Sequence, residues 1–267
     1  MTMRLPIRRP TRPLSPPSGW RLGGALLGLI ALVGLLAPGR AAAAAFTPEQ
    51  HQAIEAIVRD YLAKHPEEVL QTLQAAEDKM KSEAHDKASA TLVKRRQEVF
   101  DDPNSPVAGN PKGDVSLVEF FDYECPYCKE VEPALEKLLR EDSQLRFVYK
   151  EFPVLGPASV TAARAALAAR KQGKYDAFHR TMMALKGHID DAAVFKVAAA
   201  VGLNIDQLKH DMSDPAVNTD LKANIKLAEA LDIRGTPGFV IGDEIVPGAI
   251  SLDDLKGLIA KARKTKK

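Results

Sequence analysis

The stretch VEFFDYECPYCKEVEPAL, Val118 to Leu135, decides how this chain is read. It holds both cysteines of the 267 residues, Cys125 and Cys128, with Pro126 and Tyr127 between them. Ahead of them, Val115 to Phe121 is a near-continuous apolar run of strand-forming residues, as in a strand buried on both faces. Behind them, Lys129 to Arg140 has the apolar spacing of a helix, which Pro133 should kink by removing one N–H bond. Cys125 is therefore expected at a helix N-terminus, with Pro126 at the first helical position, where its missing N–H costs nothing.

Working outward, Gln144 to Phe152 reads as a second strand. Pro157 to Leu231 is helical almost throughout, with breaks near Gly173, Gly187, Gly202 and Asp214-Pro215. Gly238 to Ile241 and Glu244 to Val246 flank Gly242-Asp243, a two-residue hairpin signal. Leu252 to Ala262 closes the chain as a helix that Ser251 is placed to cap. A β-α-β unit, a long helical insertion and a β-β-α unit predict an α/β sheet covered by helices.

Two cysteines three positions apart have three possible uses. A zinc clip takes about four ligands. Here two cysteines and six scattered histidines offer no His pair at i, i+4 and no His within fifty residues after Cys128. A structural disulfide across two residues would constrain little of the unfolded chain. Redox work remains. The first-turn N–H groups and the positive end of the helix dipole favour a thiolate at Cys125, and such sites lower a cysteine pKa from about 8.5 toward ~3.5–7.5. Cys125 is expected as the exposed attacking sulfur, and Cys128, one turn on and facing inward, as the resolving one. No hydrolase, phosphate-loop or dinucleotide pattern competes.

The N-terminus reads as a targeting segment. Five arginines from Arg4 to Arg21, the apolar run Leu22 to Ala37 and the alanine tract Ala41 to Ala45 follow the order of a cleaved signal peptide over residues 1–45. The alternative is an anchor at residues 22–37, although that run is shorter than the roughly 20 residues of a spanning helix. The whole chain carries a formal charge of +2, from 37 basic and 35 acidic residues. Six of the basic residues and none of the acidic ones lie in residues 1–45, which leaves 31 − 35 = −4 for the remainder. No nucleic-acid partner is expected from that balance.

Between leader and strand, Thr47-Pro48-Glu49-Gln50 opens a helix by capping box, and Pro66 restarts a second one. Beyond Glu77 the apolar residues thin out, so that this helix is nearly polar all round. Residues 46–100 are read as a helical extension, 101–110 as a linker and 111–267 as the globular domain.

The order of elements, together with Cys125-Pro126-Tyr127-Cys128 and Thr236-Pro237 just before the hairpin, resembles the DsbA-like form of the thioredoxin fold, in which a helical domain, here about 157–231, interrupts the thioredoxin motif. The segment FTPEQHQAIEAIVRDYLAKHPEEVLQTLQ is further similar to the trimerising N-terminus of the suppressor-of-copper-sensitivity C family of periplasmic disulfide isomerases. The resemblance implies catalytic roles for Cys125, Cys128, a cis Pro237 and Thr236, whose backbone would pair with client backbone. It also implies redox tuning by Pro126, Tyr127 and Glu119. Glu119 matches a buried acid that assists proton transfer; an exposed edge position is the alternative. No cofactor is expected. The implied partners are cysteine-containing periplasmic proteins, a membrane thiol–disulfide partner and two further copies of the chain, through residues 46–100. Three functions stay open: a trimeric isomerase, a monomeric dithiol oxidase, and a copper-tolerance protein holding Cu(I), a soft metal, on Cys125 and Cys128.

Overall fold

The computed structural model describes residues 46–265. The leader read over residues 1–45, with its alternative anchor, lies outside the described residues. Among the described residues no helix is long and apolar enough to cross a membrane. They fall into two units, divided between Tyr61 and Leu62.

Helix α1 (Pro48–Lys64) begins with the expected reciprocal cap. The Thr47 N–H donates to Gln50 Oε1 at 2.8 Å, and the Gln50 N–H donates to Thr47 Oγ1 at 3.3 Å. None of its residues is buried.

The second unit is organised around one mixed sheet. Its strands are β1 (Val107–Gly109), β2 (Val115–Phe121), β3 (Leu145–Glu151), β4 (Gly238–Ile241) and β5 (Glu244–Pro247), in the order β1-β3-β2-β4-β5. β2 and β3 are parallel, joined by helix α4 (Pro126–Glu141), whereas β4 runs antiparallel to β2 and pairs with β5 as a hairpin. Gly242 makes that turn with φ +62°. Between β3 and β4 come α5 (Pro157–Lys171), α6 (Tyr175–Ala184), α7 (Asp191–Ala200), α8 (Ile205–Met212) and α9 (Pro215–Ala230), broken at the expected glycines and proline. Helix α10 (Leu252–Thr265) ends the chain, its Asp254 N–H donating to Ser251 Oγ at 3.1 Å. The chain therefore has a DsbA-like thioredoxin fold.

Strand alternation sorts the core into two faces. Leu117, Phe121, Phe147, Tyr149, Phe239 and Ile241 pack with α4, the insertion and α10. Val118, Phe120, Val148 and Val240 pack on the other side, against Leu92, Val99, Phe100, Leu227 and Leu231.

That second face departs from the expected boundary at residues 100–111. Leu92 is the last buried residue of helix α2 (Pro66–Lys94), and Val99 and Phe100 belong to the short helix α3 (Arg96–Phe100). Without them that face of the sheet would be covered only by the α9 side of the cluster, Leu227 and Leu231 among it. The segment read as a linker is also built in. Residues Val107 to Gly109 form β1 against β3, and the buried Lys150 of β3 donates to Glu98 O, Asp102 Oδ2 and Ser105 Oγ at 2.8, 3.0 and 2.6 Å. Composition marked the loop but could not show what it satisfies.

Candidate redox site

The site lies where β2 runs into α4. Cys125 is the N-cap of α4, with extended backbone (φ −72°, ψ 118°), and Pro126 occupies the first turn. The Cys125 N–H donates to Asp122 O at 3.1 Å, and its own carbonyl accepts from Lys129 N–H at 3.2 Å. One turn on, Cys128 is fully buried. Burial, and then the neighbouring Glu119, push its thiol pKa far up.

Across from the pair, the Thr236–Pro237 peptide is cis. The Cys125 thiol donates to Thr236 O at 3.2 Å, so residues 111 apart in sequence close on one another. This contact corrects one expectation. Cys125 is only 3 % exposed, because the chain before Pro237 covers its sulfur. The exposed members of the motif are Pro126 and Tyr127, the latter at 59 %. Pro133 lies inside α4, which continues through it to Glu141.

Glu119 is buried. β2 is a central strand, with Tyr149 on one side and Phe239 on the other as the register partners of Glu119. Alternation with Leu117 and Phe121 turns its carboxyl toward the α4 face. Neither carboxyl oxygen has a hydrogen-bond partner among the described residues. Burial raises its pKa well above the usual carboxylate range, and the charges of Glu132, Cys125 and Glu151 add to that.

Several residues that sequence reasoning missed complete the site. Asp122, which is buried, accepts from the N–H groups of Glu124 (2.8 Å), Val154 (2.8 Å) and Leu155 (3.0 Å), tying the cysteine loop to the turn after β3. Val154 and Leu155 expose their side chains beside it. Two further ties reach the helical insertion. Lys129 Nζ donates to Leu185 O at 2.7 Å, and Glu124 Oε1 lies 3.1 Å from His188 Nδ1. Beneath, on the same face as Glu119, Tyr123 and Tyr175 donate to Glu151 Oε1 at 3.1 and 2.7 Å. Tyr123 Oη is also 3.1 Å from Nδ1 of the fully buried His179. The spacing of Glu132 four residues after Cys128 was legible as one helix face. His179 gave no signal, since its neighbours across the sheet are far away in sequence.

A buried dithiol with one sulfur against a cis-proline segment and an acid below suits thiol–disulfide exchange. The family model for the DSBA-like thioredoxin domain matches residues 116–260. A thioredoxin-like oxidoreductase from Silicibacter pomeroyi superposes with a TM-score of 0.62 and 46 % identity, over 63 % of this chain and 98 % of that one. A linker-deletion variant of Proteus mirabilis ScsC superposes with a TM-score of 0.64 and 28 % identity, over 84 % of this chain and all of that one. The chain also matches part of the Na(+)/H(+) antiporter NhaA 1 of Salinispora arenicola, 28 % identical over 158 residues. That match spans 58 % of this chain and about a quarter (24 %) of the antiporter's length.

Proposed function

Since the chain belongs to the DSBA-like thioredoxin domain family, we propose that it is a periplasmic thiol–disulfide oxidoreductase of isomerase type, oligomeric through its N-terminal helices. The observation that carries the chemistry is the 3.2 Å contact between Cys125 Sγ and Thr236 O above the buried Cys128. A client disulfide entering there meets Cys125 at the end of α4 and finds the backbone of Thr236 alongside.

The electron accounting is simple. As isomerase, the Cys125 thiolate attacks one client sulfur; the client S–S bond breaks and its electron pair leaves on the other client sulfur. That client thiolate, or another, later attacks the mixed disulfide and Cys125 departs as thiolate, with no net oxidation. As oxidase, a client thiolate attacks Cys125 of the Cys125–Cys128 disulfide, and the pair leaves on Cys128. A second client thiolate then displaces Cys125, and a membrane thiol–disulfide partner restores the disulfide.

The isomerase side of the proposal draws on residues 46–100. Ile54, Ile57, Val58, Leu62, Leu70 and Leu73 are all large, apolar and exposed in the single chain, as an uncovered self-association surface would be. The similarity to ScsC, over 84 % of this chain, extends well beyond the catalytic domain. Copies joined this way, three by analogy with the family, place several redox pairs around one client. The sequence of residues 1–45, read as a leader, supports export.

The test uses scrambled, fully oxidised ribonuclease with catalytic reductant. Recovery by the intact protein, lost in Cys125→Ala and in a chain lacking residues 46–87, supports the oligomeric isomerase. Rapid oxidation of reduced ribonuclease without unscrambling would leave the dithiol oxidase. Copper bound after loading, and lost in Cys125→Ala, would favour Cu(I) handling by the same thiols.

A further inference from the structure

The cysteines stand past the C-terminal end of β2. At the other end of that strand lies a second cleft. β2 and the parallel β3 both begin there, the β4–β5 turn reaches it, and helices α3 and α10 close its sides. Its volume is about 480 Å3, within the ~300–1,000 Å3 typical of small-molecule sites. Ser116 forms part of its wall. The run of β2 from there to Phe121, roughly 17 Å at strand rise, separates it from the cysteine loop.

Three cations line the cleft: Arg96 from α3, Lys112 from the loop before β2, and Arg146 from β3. The two guanidiniums converge on Phe100. Arg96 lies over its ring, with Cζ 5.0 Å from the centroid. Arg146 Nη1 donates to the Phe100 carbonyl and, at 3.4 Å, to Ser116 Oγ. Arg96 is tied likewise through Nη1, to Gly242 O at 3.4 Å and to Asp243. Nε and Nη2 of both arginines, and Lys112 Nζ, have no acceptor among the described residues. Arg146 carries the argument furthest. Its side chain is only 14 % exposed, and a guanidinium so withdrawn from water normally has its donors filled. The free edge of Arg146 is not sealed in the core, so its acceptors must come from whatever occupies the cleft.

The carboxylates nearby do not cancel these charges. Asp101 lies 3.9 Å from Arg146 and Asp243 pairs with Arg96, but both aspartate side chains are 72 % exposed, where an ion pair contributes little. Asp114, next in the loop, is gripped by Arg263 Nε and Nη2 at 2.9 Å. The wall is also firm. A Cβ on Gly113 would come within 2.4 Å of Gln144 O, so the loop carrying Lys112 lies tight against the start of β3.

We propose that this cleft binds a small anion carrying at least two carboxylate or phosphate groups. A guanidinium edge of Nε and Nη2 takes an oxyanion through two parallel hydrogen bonds. Two such edges anchored on one aromatic residue favour a ligand with two anionic groups over one with a single group, and Lys112 adds a third positive charge. The site shares no residue with the cysteine chemistry proposed above.

Citrate and pyrophosphate are the probes, with acetate and inorganic phosphate as single-group controls. Each is titrated into the purified protein at constant ionic strength, which fixes the general screening of surface charge. Calorimetry is expected to show one saturable site per chain, with Kd below about 1 mM for at least one probe, and the controls at least ~10-fold weaker. Whichever probe binds more tightly identifies the preferred group. Lys112→Glu and Arg96→Gln change side chains that reach solvent and should weaken binding at least ~10-fold, as for loss of a charged hydrogen bond. Arg146→Lys keeps the charge but loses the fork and should do the same. Amide shifts at saturation should centre on residues 112–116 and 242–243, with Tyr127 unmoved. Absence of saturable binding by either probe, equal binding of the controls, shifts centred elsewhere, or an affinity unchanged in Lys112→Glu and Arg96→Gln would overturn the site.

Discussion

Cys125 Sγ and the carbonyl oxygen of Thr236 lie 3.2 Å apart, although 111 residues separate them in sequence. The pairing needs three things at once: β2 placed beside β4, α4 starting at Pro126, and the chain turning at Pro237 just before β4. It makes Cys125 the sulfur at the mouth of the site and leaves Cys128 behind it. The difference in burial between the two is small, so their roles are set by geometry more than by exposure.

Replacing Cys128 by Ala should therefore trap the intermediate. Cys125 still forms the mixed disulfide, but nothing behind it can resolve the bond within the protein. Incubation with an oxidised client peptide is expected to give a stable adduct on non-reducing electrophoresis with Cys128→Ala and none with Cys125→Ala. Adducts on the second variant instead would reverse the two roles.

The second prediction concerns where the folded domain begins. Phe100 and Val99 fill the sheet face opposite the redox site together with Leu92. Truncating Phe100 to Ala should cost roughly 3–5 kcal/mol, the range for a buried aromatic, read as a lowered urea midpoint. A chain starting at residue 88 should fold, whereas one starting at 111 should expose Val118, Phe120 and Val148 and aggregate. Equal stability of the two chains would place residues 88–110 outside the folding unit.

That boundary also marks how far the sequence could be read. Strand β2, the start of α4 at Pro126, the breaks in the insertion and the Gly242-Asp243 hairpin were all legible, because each is set by local periodicity, proline or glycine. The cysteine pair was legible because its spacing is rare and its flanks agree. What stayed hidden depends on non-local pairing. Asp101 to Asp114 has the composition of a loop, yet it supplies two of the three acceptors of the buried Lys150, Asp102 and Ser105. Glu119 was ambiguous because a single strand does not say whether it lies at the edge. Sequence gave Cys125 as exposed because it could not place Thr236 over it.

Glu119 has a stability consequence with a definite sign. Its folded pKa is raised, first by burial, above the ordinary carboxylate value. The folded state therefore keeps a proton that the unfolded state releases above about pH 4.3. Stability from this group is fully present below that pH and is lost as pH rises toward its folded pKa. Glu151, also raised by burial, acts in the same direction. The urea midpoint should fall between pH 5 and 8, and Glu119→Gln should flatten the slope by up to about 1.36 kcal/mol per pH unit. A slope unchanged by Glu119→Gln would mean that its carboxyl titrates as an ordinary one.

Asp122 offers the sharpest mutational test of how the site is held. Its carboxylate accepts three backbone N–H groups, from Glu124 in the cysteine loop and from Val154 and Leu155 in the turn after β3. Hydrogen bonds to a charged group contribute about 1.5–3 kcal/mol each and do not add fully. Asp122→Ala leaves three donors facing a buried space, so a loss of roughly 3–5 kcal/mol is expected. Asp122→Asn keeps one acceptor oxygen and should lose less. Because Oδ2 alone receives both Val154 and Leu155, an asparagine that keeps its oxygen there will hold the turn and lose only the Glu124 bond. Client reduction rates should then fall in the order wild type, Asn, Ala, in parallel with the urea midpoints. Variants with unchanged midpoints would show that the turn is fixed by its packing, with the carboxylate incidental to it.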